Sequence, residues 1–268
     1  MNEPQLHFYD LGTGVTAFST TRHGGCSEGR YAHFNANAFC GDQPQAVAAN
    51  REALCRKLGV GLGQLLIPHQ VHGTCVAVAD EDFMALSDAH RASRLEGIDA
   101  LVTSLRGVCI CVSTADCMPV LLYDPQHQAV AAIHAGWRGT VARIVEHAVG
   151  VMQSRYHTDA AQLRAVVGPG ISLRNFEVGD EVYDAFARQG FPMQQLARRF
   201  PPMNGSGAGE KWHIDLPLCN ALQLQATGVP TQNILLSGIC TYDQHETFFS
   251  ARRLSIHSGR ILTGILLK

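Results

Sequence analysis

Apolar and polar residues alternate in blocks along the chain, and the clearest blocks fall within residues 108–140. Two apolar runs there have the length and composition of buried strands. The first run ends in residues 114–117 (TADC) and the second in residues 134–139 (HAGWRG). Buried strands need no polar groups of their own. A thiol, a carboxylate, an imidazole and a guanidinium at these two ends therefore predict a functional site.

The same patterns predict helices and strands along the rest of the chain. A helix is predicted over residues 44–58, with Val47, Leu54 and Leu58 on one face and Gly59 as its stop. Another helix is predicted over residues 141–156. Shorter strands are predicted at residues 14–21, 98–104, 163–167, 233–239, 247–250 and 261–267. Because several strands follow one another without an intervening helix, we predict an α/β (α+β) fold with a mixed sheet.

A second polar cluster interrupts the apolar pattern of residues 64–79, at residues 68–73 (PHQVHG). In an extended chain alternate side chains share a face, so His72 lies on the side of Gln70 and His69 on the other side. Only one of the two histidines therefore needs to face a site. The pattern pairs His72 with Gln70 and His69 with Val71, and it does not choose between the two histidines.

Other polar residues stand at the ends of predicted strands. Asp99 stands at the entry of a short strand, and His134 and Arg138 stand at a strand-to-helix turn, where the helix N-terminus favours an anion. Arg22 follows the first predicted strand and precedes two adjacent glycines, a loop that can bring backbone N–H groups close to an anion. On pattern alone, an ordinary surface turn is the more frequent explanation of the glycine pair.

Composition narrows the class of protein. The chain has 268 residues, is 46% hydrophobic and carries a formal net charge of -2, with its basic residues scattered. This balance supports a large buried core and argues against a nucleic-acid partner. No apolar run reaches the ~18 to 20 residues of a membrane span, and residues 1–10 lack the features of a secretory signal. We therefore expect a cytoplasmic protein without a membrane partner. Residues 201–210, rich in proline, glycine and serine, predict a surface loop.

Cysteine and histidine are frequent in this sequence. Nine cysteines, an odd number spread along the chain, indicate reduced thiols rather than a disulfide framework. Cys55, Cys109 and Cys111 lie in apolar patterns and are expected in the core, where a free thiol behaves as a small hydrophobe. Thirteen histidines are many for this length, so some are expected to serve as metal ligands or acid/base groups.

Soft and borderline metal ligands gather at the predicted strand ends, namely His72, Cys117 and His134. Two imidazoles and one thiolate form a common ligand set for a catalytic zinc ion, which keeps a fourth position open. Copper suits the same ligands. The same residues are also compatible with a nucleophilic pair in which Cys117 attacks and His134 is its base, or with two core histidines and a buried thiol. Metal content discriminates between the first two hypotheses.

Several motifs resemble a known protein family and follow one another in the order found there. They are residues 19–25 (STTRHGG), 50–51 (NR), 69–73 (HQVHG), 114–120 (TADCMPV), 134–139 (HAGWRG), 168–169 (GP) with 176–179 (FEVG), and 240–242 (CTY) with 248–250 (FFS) and 252–253 (RR). The family was once labelled multicopper polyphenol oxidase or laccase-domain protein, and its members are now described as purine nucleoside phosphorylases. The sequence departs from the usual family pattern at residues 35–38 and at Ala251.

The resemblance implies an α/β sandwich with flanking helices in a single domain over residues 1–268. It also implies a zinc ion held by the residues matching His72, Cys117 and His134. The implied activities are phosphorolysis of adenosine, inosine and methylthioadenosine, and deamination of adenosine. Nucleosides and phosphate are the expected small-molecule partners, and the oligomeric state stays open.

For these reactions the sequence offers candidates but not a choice among them. For deamination, water activated by the metal would attack C6 of adenine while Asp116 or Asp99 moves protons. Asp116 is equally well explained as a carboxylate that caps a turn. Phosphorolysis needs a phosphate site, for which the candidates are Arg22, Arg51 and Arg138, because guanidinium groups bind oxyanions in bidentate fashion. Gln70, on the side of His72, is a candidate for contact with the substrate.

Three other functions remain as alternatives. The first is a copper-dependent polyphenol oxidase, although such enzymes hold several copper ions on paired His-x-His motifs and this sequence contains none. The second is a peptidoglycan-precursor editing factor, a role associated with some bacterial relatives. The third is a hydrolase that uses the Cys117–His134 pair.

Overall fold

The computed structural model describes residues 3–203, 205 and 209–268. Its strands are β1 (Leu6–Tyr9), β2 (Val15–Thr20), β3 (Leu65–Leu66), β4 (Val76–Val78), β5 (Ala100–Thr103), β6 (Cys109–Thr114), β7 (Met118–Asp124), β8 (Ala129–Ala135), β9 (Arg164–Val167), β10 (Glu177–Val178), β11 (Ala197–Phe200), β12 (Lys211–Ile214), β13 (Ile234–Leu236) and β14 (Ile261–Leu267). The loop predicted at residues 201–210 lies partly outside the described residues.

Helices of very different lengths connect these strands. They are α1 (Pro44–Leu58), α2 (Glu81–Ala85), α3 (Asp88–Arg94), α4 (Trp137–Val141), α5 (Ile144–Tyr156), α6 (Asp180–Arg188), α7 (Met193–Leu196), α8 (Leu216–Ala226) and α9 (Ala251–Leu254). None of those within the described ranges combines the length and the apolar composition needed to cross a bilayer.

Two large sheets pack face to face. One has the strand order β1-β2-β14-β6-β3 and the other the order β13-β9-β7-β8-β5-β4. Val112 and Ile265 of the first sheet share a buried core with Leu121 and Ala132 of the second. Both sheets are mixed, since β7 and β8 run antiparallel whereas β3 with β6 and β4 with β5 run parallel. The predicted mixed α/β sandwich is therefore confirmed.

Helices cover the two outer faces of the sandwich. On the six-stranded sheet, α5 and α8 bury Ile144, Met152 and Leu224. On the five-stranded sheet, α1 buries Leu54 against Cys109 and Cys111, so these thiols are core groups as predicted. A third sheet of three short antiparallel strands, β10-β12-β11, lies beside the sandwich. Removing apolar surface from water on both faces of each large sheet is the main stabilising contribution.

α1 begins and ends where the proline and glycine in the sequence predict. The helix begins at Pro44, where a missing N–H costs nothing, and ends at Gly59, whose φ of 71° closes the last turn in the left-handed region. Its observed range, Pro44–Leu58, is the predicted one.

Two predicted elements differ from the structure. The helix predicted over residues 141–156 begins only at Ile144, as α5, because Arg143, with a φ of 65°, separates it from the short helix α4 before it. The strand predicted over residues 247–250 is not a strand. The apolar pattern at Phe248 and Phe249 reflects their burial in a small core of their own. The hydroxyl of Ser250 accepts a hydrogen bond from the N–H of Arg253 and so caps α9.

Among the connections that pass from one large sheet to the other, two carry polar motifs that the sequence singled out. Residues 115–117 leave β6 in the five-stranded sheet and enter β7 in the six-stranded sheet. Residues 67–75 likewise join β3 in the first sheet to β4 in the second. The motifs at residues 68–73 and 114–117 lie on these two connections, and the motif at residues 134–139 lies at the end of β8. The candidate site is therefore at the junction of the two sheets.

Candidate metal centre

The structure brings the three predicted ligands together. The ligand atoms of His72, Cys117 and His134 all lie within 4.8 Å of one another. His72 and Cys117 lie on the two crossing connections, and His134 lies near the end of β8. A tetrahedral zinc site with bonds of about 2.0 to 2.3 Å holds its ligand atoms roughly 3.5 Å apart. The group is therefore of a size that can close around one metal ion.

The backbone beside two of the ligands is unusual. His72 has a φ of 62° and Asp116, next to Cys117, has a φ of 87°. Residues other than glycine rarely adopt this left-handed region, and each such residue costs of order 1–3 kcal/mol unless its surroundings hold it there. Strain of this kind concentrates at functional sites. Here it turns two ligands inward at the points where the chain crosses between the sheets.

Gly136 provides the space in which the ligands meet. A Cβ atom at this position would lie 2.8 Å from Cδ2 of His72 and 3.1 Å from Sγ of Cys117. The φ and ψ of Gly136, -67° and 166°, are open to any residue, so glycine is not required there for its conformation. It is required because a side chain would fill the cradle between the ligands.

Asp99 is fully buried behind the ligands and its two oxygens accept four hydrogen bonds. Oδ1 accepts from Nδ1 of His134 at 2.8 Å and from the N–H of His72 at 2.9 Å. Oδ2 accepts from the N–H of Gly73 at 2.7 Å and of Val71 at 3.3 Å. Burial raises the pKa of Asp99, but the hydrogen bonds from His134 and the backbone outweigh it and hold that pKa below its usual value.

The Asp99 carboxylate fixes the tautomer of His134. Because an ionised carboxylate only accepts, Nδ1 of His134 carries the proton and Nε2 is left to bind a metal. The same carboxylate anchors the backbone of the loop that carries His72. Asp99 thus orients two of the three ligands. Transfer of a proton to a substrate would require Asp99 to lie on the cavity wall, and it does not.

We expect Asp99→Asn to weaken zinc binding about 10- to 100-fold, the usual effect of losing a carboxylate that orients a metal-binding histidine. The amide nitrogen that replaces one oxygen cannot accept the bonds that the oxygen accepted. Zinc affinity can be measured by competition with a chromogenic chelator on metal-free protein. Asp184→Asn, at an exposed position on α6, is the control. Equal affinities for the wild type and Asp99→Asn would remove this role from Asp99.

The thiol of Cys117 lies in a strongly polarised environment. Burial raises the pKa of Cys117, but the imidazoles of His134 and His72 outweigh burial and bring that pKa down to about 6. Burial lowers the pKa of His134, whereas Cys117 and Asp99 raise it, to about 9. The direction of both shifts favours a thiolate at Cys117 beside an imidazolium at His134 when no metal is bound. A thiolate is the form that both a metal ligand and a nucleophile require.

The ligand group opens into a cavity of about 380 Å³, within the range of small-molecule sites. Its walls come from residues within 37–40, 69–72, 113–117 and 251–260, together with His134. The large apolar side chains on the wall include Phe39 and Ile256, of which 49% and 68% of the surface is exposed. The cavity thus combines a metal-binding group with an apolar, accessible surface.

His69 and Gln70 also line this cavity. Gln70 accepts from the N–H of Ser113 at 2.7 Å and donates to the Ser113 carbonyl at 2.9 Å, so its amide secures the loop to the end of β6. His69 stacks on Phe39 with ring centroids 4.2 Å apart, and its Nδ1 is hydrogen-bonded to Glu96. Both histidines of the motif, His69 and His72, therefore line the cavity, although the extended pattern required only one of them to face it.

Asp116 lies beside the cavity but not on its wall. Its Oδ1 accepts from the hydroxyl of Thr241 at 2.7 Å, and its Oδ2 accepts from the N–H of Arg252 at 2.6 Å. Both oxygens are therefore engaged within the protein, one by Thr241 and the other by the first turn of α9. This geometry matches the capping role that the sequence left open for Asp116.

The three arginines predicted as phosphate ligands lie away from the cavity wall. Arg22 donates to two backbone carbonyl groups and Arg51 donates to a third. Arg138 is exposed, with its guanidinium over the ring of Trp137 at 4.3 Å. Burial lowers the pKa of Arg22 and of Arg51. In this geometry the guanidinium groups of Arg22 and Arg51 hold backbone carbonyls, and that of Arg138 lies at the surface.

Comparison with known proteins places the chain in a family. The model of the family described as multi-copper polyphenol oxidoreductase laccase matches residues 16–268. The chain belongs to this family.

Relatives within the family carry two kinds of name. The chain is 45% identical over 255 residues to a protein of Bacteroides thetaiotaomicron named purine nucleoside phosphorylase, covering 95% of this chain and 92% of the relative. It is 45% identical over 266 residues to adenosine deaminase RL5 from an unknown prokaryotic organism, covering 98% of each. The crystal structure of YlmD from Geobacillus stearothermophilus, 30% identical, superposes with a TM-score of 0.87 and covers 100% of both chains.

Some cavity residues of this family member were not among the sequence candidates. Asn37, Phe39, Ile256 and Arg260 line the cavity, and Arg260 directly precedes β14. Their local sequence gives no sign of chemistry. Only the pairing of β14 with β6 brings the C-terminal segment to the end of the strand that leads to Cys117.

Proposed function

We propose that this protein is a zinc-dependent purine nucleoside enzyme that phosphorolyses adenosine, inosine and methylthioadenosine and also deaminates adenosine. The observation that carries the proposal is the group of His72, Cys117 and His134 opening into a cavity of about 380 Å³. Relatives named purine nucleoside phosphorylase and adenosine deaminase, each 45% identical, support the substrate class.

The donor set fits zinc. Two imidazoles and a thiolate leave the fourth position of a tetrahedral ion open, as catalytic zinc sites require. Within the described residues this is the one group of three or more potential ligands that lie close together. A multicopper oxidase needs several copper centres. The donor set therefore favours a single-ion enzyme over the copper oxidase that the family description suggests.

The chemistry that a zinc ion supplies when bound here is Lewis acidity, which activates water and stabilises developing negative charge. Residues of this chain shape the place in which the ion would bind. Asp99 orients His134 and the loop of His72, and Gly136 leaves room between the ligands. Phe39 and Ile256 offer apolar surface on which a flat purine ring can pack.

We assign proton transfer to His69. The two carboxylates considered from the sequence, Asp116 and Asp99, use all their oxygens in hydrogen bonds within the protein. His69 lines the cavity, and its Nδ1 is engaged by Glu96, which leaves Nε2 to exchange a proton with the substrate. A carboxylate-bound imidazole of this kind is a common general acid or base.

A hydrolase that uses Cys117 as nucleophile is the second candidate. Asp99 is hydrogen-bonded to His134, and His134 lies beside Cys117, which is the arrangement of carboxylate, base and thiol in enzymes with a cysteine nucleophile. His72 has no role in such a relay. A metal ion bound to Cys117 makes its sulfur a poor nucleophile, so metal content separates the two candidates.

The test is elemental analysis of freshly purified protein beside an adenosine assay with and without phosphate. We expect about one zinc per chain, as for a single tetrahedral site. We also expect inosine without phosphate, and adenine in addition when phosphate is present. Cys117→Ser is expected to lose the zinc and both activities together, because sulfur is one of only three protein ligands.

Other outcomes would contradict the proposal in distinct ways. Activity of metal-free protein, lost in a Cys117→Ser variant without any change of metal content, would favour the hydrolase. Stoichiometric copper with phenol oxidation and no nucleoside turnover would favour the oxidase.

A further inference from the structure

The Ile256 loop, residues 255–260, joins α9 to β14 and forms part of the cavity wall. It begins at Ser255, whose φ of 103° and ψ of 150° lie in a region that residues other than glycine scarcely adopt. Such a residue persists only when its surroundings hold it. Here the N–H of Ser255 donates to the carbonyl of Ala251 at 3.0 Å, and the Ser255 carbonyl accepts from the N–H of Ser258 at 3.0 Å.

Arg260 closes the Ile256 loop on itself. Its guanidinium donates to the backbone carbonyls of Ser258 at 2.5 Å, Gly259 at 3.1 Å and Ile256 at 2.7 Å. Because a guanidinium presents its donors in a rigid planar fork, three bonds from one side chain fix the path of the backbone. These bonds assign the guanidinium to the loop and not to a substrate.

Two further hydrogen bonds anchor the Ile256 loop to the segment that follows β2. The N–H of Arg260 donates to Oδ1 of the fully buried Asn35 at 3.1 Å, and the N–H of Gly259 donates to the carbonyl of Arg30 at 3.3 Å. Regions that open easily have few such contacts. The loop is therefore a fixed part of the wall.

The fixed loop presents an apolar side chain that the protein does not cover. Ile256 lines the cavity and is 68% exposed, more than any other large apolar side chain in the described part of the chain. A single exposed apolar side chain is ordinary on a protein surface. One that a rigid loop holds at the wall of a cavity is placed where a ligand can cover it, and burial then favours binding.

We propose that Ile256 determines the affinity for the nucleoside and that Arg260 is the residue that positions it. The inference rests on the proposed function, since it names the part of the wall on which the nucleoside packs. A wall that is already fixed need not be ordered when the substrate binds, so less binding energy is lost. Contact of this kind is the same in the ground state and the transition state, and it lowers KM without raising kcat.

Ile256→Ala tests the contact. We expect the KM for inosine in phosphorolysis to rise about 10- to 100-fold, because apolar contact with the bound nucleoside is lost. The kcat should change less than about threefold, and the zinc content should stay the same because Ile256 is not a metal ligand. Leu235→Ala, on β13 and 45% exposed, is the matched control and should keep the wild-type KM.

Arg260→Gln tests the positioning role. It should raise the same KM roughly 3- to 10-fold, because the wall must then be ordered on binding. In a protein that already carries Ile256→Ala it should add less than about twofold, because Arg260 acts through Ile256. Arg198→Gln is the matched control, since Arg198 also donates to two backbone carbonyls, at 2.8 and 2.7 Å, but does not line the cavity. An equal rise in KM with and without Ile256→Ala would overturn the positioning role.

Hydrogen exchange measures the fixing of the loop without any assay of activity. The N–H groups of residues 257–259 are hydrogen-bonded within the loop or to Arg30. In Arg260→Gln they should exchange at least about tenfold faster than in the wild type, whereas the amides of β14 should exchange at the wild-type rate. Unchanged exchange of residues 257–259 would show that Arg260 does not fix the loop.

Titration calorimetry with inosine in the absence of phosphate separates a failure of the inference from a failure of the proposed function. Inosine has no 6-amino group to lose and, without phosphate, no second substrate, so it stays intact. If wild type and Ile256→Ala bind inosine equally well, the proposed function stands and the role of Ile256 falls. If the wild type binds no inosine at all, the proposed function falls, and the assignment of Ile256 to a nucleoside falls with it.

Discussion

Replacing Gly136 with alanine is expected to abolish metal binding, and with it the catalytic activity, while the protein remains folded. The added Cβ would lie 2.8 Å from His72 and 3.1 Å from the sulfur of Cys117, distances that real Cβ atoms do not or rarely show. The backbone of Gly136 has angles that alanine adopts freely, so no conformational strain is introduced. The change therefore acts on the space between the ligands and on little else.

Zinc content and the thermal unfolding curve of metal-free protein together measure this effect. We expect Gly136→Ala to retain less than about a tenth of the zinc, since a ligand displaced by about 1 Å no longer fits the bond length of the ion. Gly150→Ala in α5 is the control, because a Cβ there meets no atom within 4 Å and should be neutral or stabilising by up to ~1 kcal/mol. A Gly136→Ala protein with full zinc and full activity would show that the ligands can move aside.

His69→Gln is expected to lower kcat for adenosine by about 10²- to 10⁴-fold, the usual contribution of a positioned acid or base. Glutamine has a similar reach but cannot exchange a proton. His69 is not among the metal ligands, so the zinc content should not change. Loss of rate with the metal retained is the combination that distinguishes proton transfer from damage to the centre.

A second variant, Glu96→Gln, measures the contribution of the carboxylate that holds His69. It should cost less activity than His69→Gln, since Glu96 holds the imidazole of His69 but does not line the cavity. His90→Gln, an exposed histidine on α3, is the control. An unchanged kcat in His69→Gln would assign the proton transfer to another group.

Local sequence signals were sufficient for several elements of the fold. Proline at the first turn and glycine after the last determine the ends of α1, and the largely apolar run at residues 261–267 predicts β14. The three residues of the ligand group were also named from the sequence, because two imidazoles and a thiolate are a common donor set for zinc, while a nucleophilic pair was the alternative for the same residues. These inferences need only residue types and their spacing.

The partners of the polar groups could not be read from the sequence in this way. Asp116 has the same residue type whether it faces a substrate or caps α9, and only the fold shows that Thr241 and Arg252 occupy its oxygens. Arg260 gave no signal because its place on the cavity wall arises from strand pairing between distant segments. Phe249 looked like part of a strand because burial in a small core and burial in a sheet produce the same apolar pattern.

The two crossing connections give the metal centre a second consequence. An ion held by His72, Cys117 and His134 would join these two of the connections between the sheets to each other and to β8. Binding to the folded chain alone adds RT ln(1 + [M]/Kd) to the free energy of unfolding. Metal supply in the cell would then set how long the protein survives as well as how fast it works.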